Sequence, residues 1–266
     1  MRHGTQEQLI AERLKAWRAA LFPSGYSELR KIVPGEWRES PEPMQVVSSV
    51  LGKEKVHYEA PPAEYVETMI EDFLDWFNSS LGAVDGLVRA AVAHLWFVTI
   101  HPFEDGNGRI ARTLVAMVLS QDEDTARRLY SISARIEAER IDYYEILEQT
   151  RGSRDITLWI IWFLNCIERS IRRSEEMARK ALLKASMWQE LSRLDLNERQ
   201  RKFIDRLFEA GSEGFEGGLT NRKYVGMTMT SKETAKRDIA DLVHKGILIR
   251  NPGGGRSANY RLAWPK

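Results

Sequence analysis

The sequence predicts a mainly α-helical protein: a helical core built around one hairpin of helices, followed by a smaller basic domain. Three observations carry this reading. Apolar residues recur at helical spacing on both sides of a polar loop at 101–109, the mark of two buried helices joined by a turn. Strand-like alternation is confined to short stretches near residues 45–58 and 246–262. Charge is also uneven, since residues 219–266 hold ten Lys and Arg against three Asp and Glu while the whole chain carries only +1.

With 266 residues the chain is long enough for a substantial core and for two domains. Charged residues make up 29% and nearly cancel, which excludes a polycation or an acidic tail. Its one cysteine, Cys166, lies in an apolar helical run with Trp159, Ile160, Ile161, Phe163 and Leu164, so no disulfide forms within the chain. A single buried thiol fits a reducing cytoplasm. No apolar run approaches 18 residues and no signal-peptide pattern opens the sequence, so the expectation is a soluble, cytoplasmic protein with no membrane contact.

Residues 1–22 pattern as an amphipathic helix with Leu9, Ile10, Leu14, Trp17 and Leu21 on one stripe, closed by Phe22-Pro23-Ser24-Gly25. A loop-rich stretch follows, and 1–44 is expected to pack on the core as a unit. Residues 45–58 read as a β-hairpin, with Gln45–Val50 and Lys55–Tyr58 as strands around Leu51-Gly52-Lys53-Glu54. From Pro61 to Asn78, Tyr65, Met69, Ile70, Phe73, Leu74, Trp76 and Phe77 interleave with acids, which gives a helix with one solvated face. A helix from about Asp85 to Ile100 enters the loop and another leaves it through Ile110, Leu114, Val115, Val118 and Leu119. His94 in the entering helix is expected as a hydrogen-bonded core histidine, for no H-E-x-x-H or paired-Cys spacing makes it a metal ligand. Gln121–Thr125 reads as a polar loop, Glu137–Arg151 as a helix, and Asp155–Ala185 as a long helix ending a core domain of 45–190.

Residues 191–266 differ in character. Helices are expected over Leu196–Gly211, Leu219–Met227 and Ser231–Lys245, with a Gly-rich loop at Gly211–Gly218. Ser231 is a good helix N-cap. Two strands, 246–250 and 258–262, flank Asn251–Gly255. Helix, helix-turn-helix and hairpin in this order look like a winged helix-turn-helix domain. Lys232, Lys236, Arg237, Arg250 and Arg256 would form a stripe suited to phosphate backbones. The alternative is a docking or dimerisation domain, so a DNA or protein partner, and a homodimer, both stay open for 219–266.

The loop itself, His101-Pro102-Phe103-Glu104-Asp105-Gly106-Asn107-Gly108-Arg109-Ile110-Ala111-Arg112, gathers three kinds of chemistry. His101 can be neutral near pH 7 and take a proton from a hydroxyl. Asp105 is a hard oxygen ligand suited to Mg²⁺. Gly106, Asn107 and Gly108 open the next helix, where free N–H groups and the dipole favour a phosphate. Arg109 and Arg112 are three residues apart and share a helix face from which to clamp further phosphate oxygens.

This stretch closely resembles the Fic family signature, H-P-F-x-[D/E]-G-N-G-R-x-x-R, and matches it at every defined position. The resemblance implies a Fic helical core with the 45–58 hairpin as its flap, and transfer of AMP from ATP to a Ser, Thr or Tyr hydroxyl of a target protein, with release of pyrophosphate. On that pattern His101 is the general base and Phe103 the apolar anchor of the loop. Asp105 holds Mg²⁺ on the α- and β-phosphates, and Gly106, Asn107 and Gly108 form the anion hole. Arg109 binds the β-phosphate region and Arg112 the γ-phosphate. Relatives acting as kinases carry Ala and Lys in place of Gly106 and Gly108, so glycine at both favours AMP transfer. In relatives the helix at 137–151 walls the base pocket, which makes Tyr143 or Tyr144 a candidate for stacking on adenine. The flap would pair with a target segment by strand addition.

Many Fic proteins are silenced by a helix bearing [S/T]-x-x-x-E-[G/N]. No such string stands upstream of His101, Ser133–Glu137 is followed by Ala138, and Ser212–Gly217 matches only within a Gly-rich loop. The expectation is that Arg112 is open to ATP in this chain, or that a partner supplies the missing Glu. Two other functions stay open: a DNA-binding regulator whose Fic site senses nucleotide, and removal of AMP, which in relatives relies on the absent Glu.

Overall fold

The structure, a computed structural model, describes residues 7–27, 30–31, 33, 35–40, 43–50, 53–123, 130–210, 218–252 and 258–263. Several expected features lie outside these residues: the first half of the hairpin turn, 51–52, part of the polar loop at 124–125, the string at 212–217, and 253–256 with Arg256. The chain is mainly helical and divides into two compact units, 1–175 and 176–266. The division falls inside one long helix, whereas the sequence places the domain boundary at 190/191.

In the first unit the elements run α1 (Ala11–Leu21), β1 (Tyr26–Ser27), β2 (Arg30–Lys31), β3 (Gln45–Val50), β4 (Lys53–Glu59), a 3₁₀ turn (Ala63–Tyr65), α2 (Val66–Ser79), α3 (Gly86–Ile100), α4 (Asn107–Asp122), α5 (Ile132–Ala138) and α6 (Arg140–Thr150). The helix α7 (Thr157–Leu191) begins here and continues into the second unit. β1 pairs antiparallel with β2, and β3 with β4. β4 starts at Lys53, earlier than the sequence suggests, because pairing continues through Ser49↔Glu54 and Val50↔Lys53.

α3 is the central helix. Asp85 caps its N-terminus by accepting from Leu87 N at 3.0 Å and Val88 N at 3.1 Å. Its residues are apolar nearly all round, and Ala90, Ala91, Ala93, Phe97, Val98 and Ile100 are buried with Phe73, Phe77, Ile110, Leu114 and Trp159. Trp159 donates its indole N–H to Ala91 O at 2.8 Å. Arg89, buried on the same helix, donates to Ser80 Oγ at 2.9 Å, Phe77 O at 2.6 Å and Gln121 Oε1 at 2.8 Å, tying α2, α3 and α4 together. The α3–α4 pair is thereby held on the other helices of the unit, and the loop between them is carried on a rigid frame.

The second unit contains α8 (Glu198–Ala210), α9 (Asn221–Thr228), α10 (Lys232–His244), β5 (Leu248–Arg250) and β6 (Tyr260–Leu262), with β5 and β6 antiparallel. Its core holds Phe203, Ile204, Leu207, Leu219, Tyr224, Ile239, Leu242 and Leu248, joined by Met187 and Leu191 from the end of α7. Ser231 caps α10 by accepting from Thr234 N at 3.2 Å. Asp238 is the polar centre: it accepts from Arg199, Asn197 and the Tyr224 hydroxyl. These donors hold its carboxyl below the ordinary range against the opposing effect of burial.

Candidate active site

The loop between α3 and α4 closes on itself through Asn107. Its side-chain amide accepts from Phe103 N at 3.0 Å and donates to Phe103 O at 2.7 Å, and both residues are buried. The amide therefore serves as a one-residue strand partner for Phe103 and fixes the loop's shape. Phe103 anchors it from below, against Trp37 at 4.7 Å and Phe97 at 6.4 Å between ring centroids. Gly106 caps α4 at φ +89°, and a Cβ there would stand 3.0 Å from Cε2 of Phe22. Both facts require glycine. Gly106 N–H donates to Asp105 Oδ1 at 2.5 Å, and the N–H groups that follow in the first turn of α4 have no acceptor within the helix, the setting in which helix N-termini hold anions.

His101 is the C-cap of α3, left-handed at φ +53°. Its protonation follows from Pro102. In a continuing helix Val98 O would accept from the N–H of residue 102, but proline has none. That carbonyl is free to meet His101 Nδ1 at 3.3 Å and Arg151 Nη2 at 3.3 Å. A carbonyl only accepts, so Nδ1 carries the hydrogen and Nε2 keeps its lone pair. Burial, with Arg151 and Arg38 adding to it, lowers the imidazole to about 4 against the pull of Val98 and Asp105, so His101 is neutral at pH 7.

The remaining carbonyls at this helix end are capped from distant segments. Tyr58 on β4 donates to Thr99 O at 2.8 Å. Arg38 donates through Nε to His101 O at 2.8 Å, through Nη2 to Pro61 O, and through its backbone N–H to Pro102 O at 2.9 Å. Cations at a helix C-terminus also suit its dipole.

On the other side of the loop, Asp105 and Arg109 form an ion pair at 3.6 Å, both about half exposed. The Arg109 guanidinium lies 4.4 Å from the centre of the Phe22 ring, with Arg18 at 4.6 Å from the same ring. Arg18 itself is only 1% exposed and donates Nε to Asp105 O at 3.0 Å. Arg112, one turn along α4, is half-buried, and its Nη1 would be 3.4 Å from a Cβ placed at Gly108. The site thus brings together His101, Phe103, Asp105, Gly106, Asn107, Gly108, Arg109 and Arg112 within one hairpin.

Of the two tyrosines, Tyr143 is in the core. Its hydroxyl is 3.0 Å from His94 Nε2, its ring packs on Trp159, and burial raises its pKa. His94 is the core histidine expected of it, stacked on Trp159 and lowered to about 3 by burial. Tyr144 is half-buried against Tyr143, with Arg140 5.7 Å from its ring centre. Sequence reasoning missed Arg18, Phe22, Arg38, Tyr58 and Arg151. Only the proline left a readable sign, because the carbonyl four residues before it had to find another donor.

Among the described residues no cluster of three His, Cys, Asp or Glu can form a protein metal cage. Asp105 offers one half-exposed carboxylate at the mouth of the anion site, beside Glu104. This donor set fits a Mg²⁺ ion that keeps most of its ligands as water and phosphate.

Residues 8–119 match the Fic/DOC family. The chain is similar to the protein adenylyltransferase Fic of Nematostella vectensis, 36% identical over 113 residues, which is 42% of this chain and 25% of that protein. It is also similar to a probable protein adenylyltransferase of Aquifex aeolicus, 27% identical over 118 residues, covering 44% and 32% respectively. A shorter match, 46% over 57 residues, links it to protein adenylyltransferase fic-1 of Caenorhabditis elegans, covering 21% of this chain and 11% of that one. The chain therefore spans a third or less of these curated relatives. Among solved structures, a Fic family protein from Desulfovibrio desulfuricans covers 99% of this chain and 70% of its own at a TM-score of 0.53 and 19% identity, a likeness of fold. With the sequence match over α1 to α4 and the fold in agreement, this chain carries a Fic domain.

Proposed function

We propose that the chain is a protein adenylyltransferase, moving AMP from ATP to a Ser, Thr or Tyr hydroxyl of a target protein. The observation that carries this is the pairing of a neutral His101, with Nε2 left as acceptor, and an uncapped α4 N-terminus flanked by Arg109 and Arg112. The acceptor hydroxyl gives its proton to Nε2 as its oxygen bonds the α-phosphorus, and the bond from that phosphorus to the pyrophosphate oxygen breaks. The N–H groups of α4 and the two arginines take up charge on the phosphates, stabilisation that strengthens as the leaving group forms. Asp105 would hold a Mg²⁺ brought by the nucleotide, which would supply further charge neutralisation. Tyr144 is the tyrosine left to border the base, since Tyr143 is committed to His94. The hairpin β3–β4 would seat the target segment. Cys166, buried and with its thiol pushed up to about 12, fits a reducing cytoplasm, and no described helix is long and apolar enough to cross a membrane.

The test is incubation of the chain with α-³²P-ATP and Mg²⁺ and candidate targets or lysate, beside His101→Ala and Arg112→Ala. Label on protein, lost in His101→Ala and reduced in Arg112→Ala, is the expected result. Label that persists in His101→Ala overturns the reading. A second reading concerns the other unit as a winged-helix module for duplex DNA. It is favoured by Lys232, Lys236 and Arg237, all exposed on α10, with Arg250 and Arg261 exposed on β5 and β6. Duplex binding that weakens steeply with salt would support it; a docking or homodimer role would show no such dependence.

A further inference from the structure

Arg151 occupies an uneconomical position for a structural residue. It follows α6, its guanidinium lies 3.8 Å from the centre of the Tyr58 ring, and Nη2 donates to Val98 O at 3.3 Å. Its Nε and Nη1 are buried with no acceptor. Two unanswered nitrogens on a cation cost several times what one carbonyl bond and one ring contact return. Residues that only support a fold are rarely arranged this way.

The carbonyl it holds is the one that Pro102 leaves free and that receives His101 Nδ1. We propose that Arg151 is a positioning residue for His101: by pinning Val98 O it keeps the imidazole hydrogen on Nδ1 and the acceptor lone pair on Nε2. Tyr58 completes the clamp, since its ring carries the guanidinium while its hydroxyl caps Thr99 O, the next carbonyl. A carbonyl has two lone pairs, so both donors are accommodated at once. With Arg151 gone, Val98 O is held by His101 alone, the helix end relaxes, and the imidazole exchanges between its two neutral forms. The other charged groups acting on His101 are Arg38 from the segment before β3 and Asp105 from the loop, while Tyr58 from β4 acts on Arg151 and Arg38. Arg38 reaches the carbonyls of Ile100 and His101, so it cannot replace Arg151 at Val98.

The inference rests on the reading of His101 as general base, and its test separates the two. The full chain is labelled with ¹⁵N-histidine, and the His101 ring, assigned by its loss in His101→Ala, is observed without nucleotide. The expected result is an Nδ1–H form in the native chain, a mixture of both forms in Arg151→Met, and recovery in Arg151→Lys, whose ammonium can still donate to one carbonyl. AMP transfer should follow, with kcat reduced about tenfold or more in Arg151→Met, part of the roughly 10²–10⁴ that a general base supplies, and KM for ATP little changed. Because Met removes two unanswered donors, its melting temperature should match or exceed the native value. An Arg151→Met chain that melts lower and keeps a pure Nδ1–H His101 overturns the proposal. A native chain with the Nδ1–H form but no AMP transfer would instead count against the reading of function and leave the positioning role standing.

Discussion

Arg18 Nε donates to the main-chain carbonyl of Asp105 at 3.0 Å, across 87 positions of sequence. A helix outside the twelve-residue stretch thereby holds the residue proposed for the metal. The guanidinium is wedged between Phe22 and Phe103, and burial lowers its pKa despite the nearby carboxylates of Asp105 and Glu104. Arg18→Ala removes this packing and the bond together, and should destabilise the fold by about 2–4 kcal/mol in denaturant titrations. Arg18→Met keeps the apolar stem and deletes the unanswered Nη1, so it should cost clearly less. Equal losses for the two variants would mean that the charge, and not the packing, does the holding.

Gly106 is constrained by its backbone and by its neighbour. At φ +89° an alanine is strained by about 1–2 kcal/mol, and its Cβ meets Phe22 at 3.0 Å. Gly106→Ala should therefore lower stability by about 2 kcal/mol or more and push Phe22 off Arg109. Nucleotide affinity measured by calorimetry should fall with it. Phe22→Leu in the Gly106→Ala background should restore part of the stability by yielding space, while the φ penalty remains.

The two buried imidazoles set an acid limit. His101 is lowered to about 4 and His94 to about 3, from the ordinary 6.5. Below pH 6.5 the unfolded chain binds protons that the folded chain refuses, so stability is complete above that value and is lost as pH falls toward 4 and then 3. Denaturation midpoints between pH 8 and 4 should stay level to about 6.5 and then drop, by roughly 3 kcal/mol or more at the acid end. His94→Gln should flatten the slope by about one proton. For AMP transfer the acid limb of kcat/KM should fall near pH 4; a limb at 6.5 would show that His101 is solvated in the free enzyme.

The hairpin of helices was legible because its signals are local. Asp85 begins α3 as a cap, Pro102 ends the regular bonding, Gly106 turns the chain into α4, and the apolar spacing continues on both sides. The residues that hold the loop left no such trace. Arg18 follows Trp17 in a helix whose charges pattern as a solvated face, yet it is as buried as the leucines around it. Arg38 and Tyr58 sit in irregular and strand segments and Arg151 at the very end of a helix, where no period marks a role that exists only once the chain has folded back on α3. Tyr143 and Tyr144 show the same limit. Adjacent aromatics alternate between core and surface on any helix, and only the position of His94 decides which is which.

The end of α3 is closed by donors that lie 41, 53 and 63 positions away, from Tyr58, Arg151 and Arg38. Loop closure over such spans is paid late, after local helices have formed. A nascent or partly unfolded chain can therefore contain α3, the loop and α4 and still lack a directed base. On the proposed function, reactivity toward hydroxyls then belongs to the completed tertiary structure, and a chain that has not yet folded does not mark its own hydroxyls.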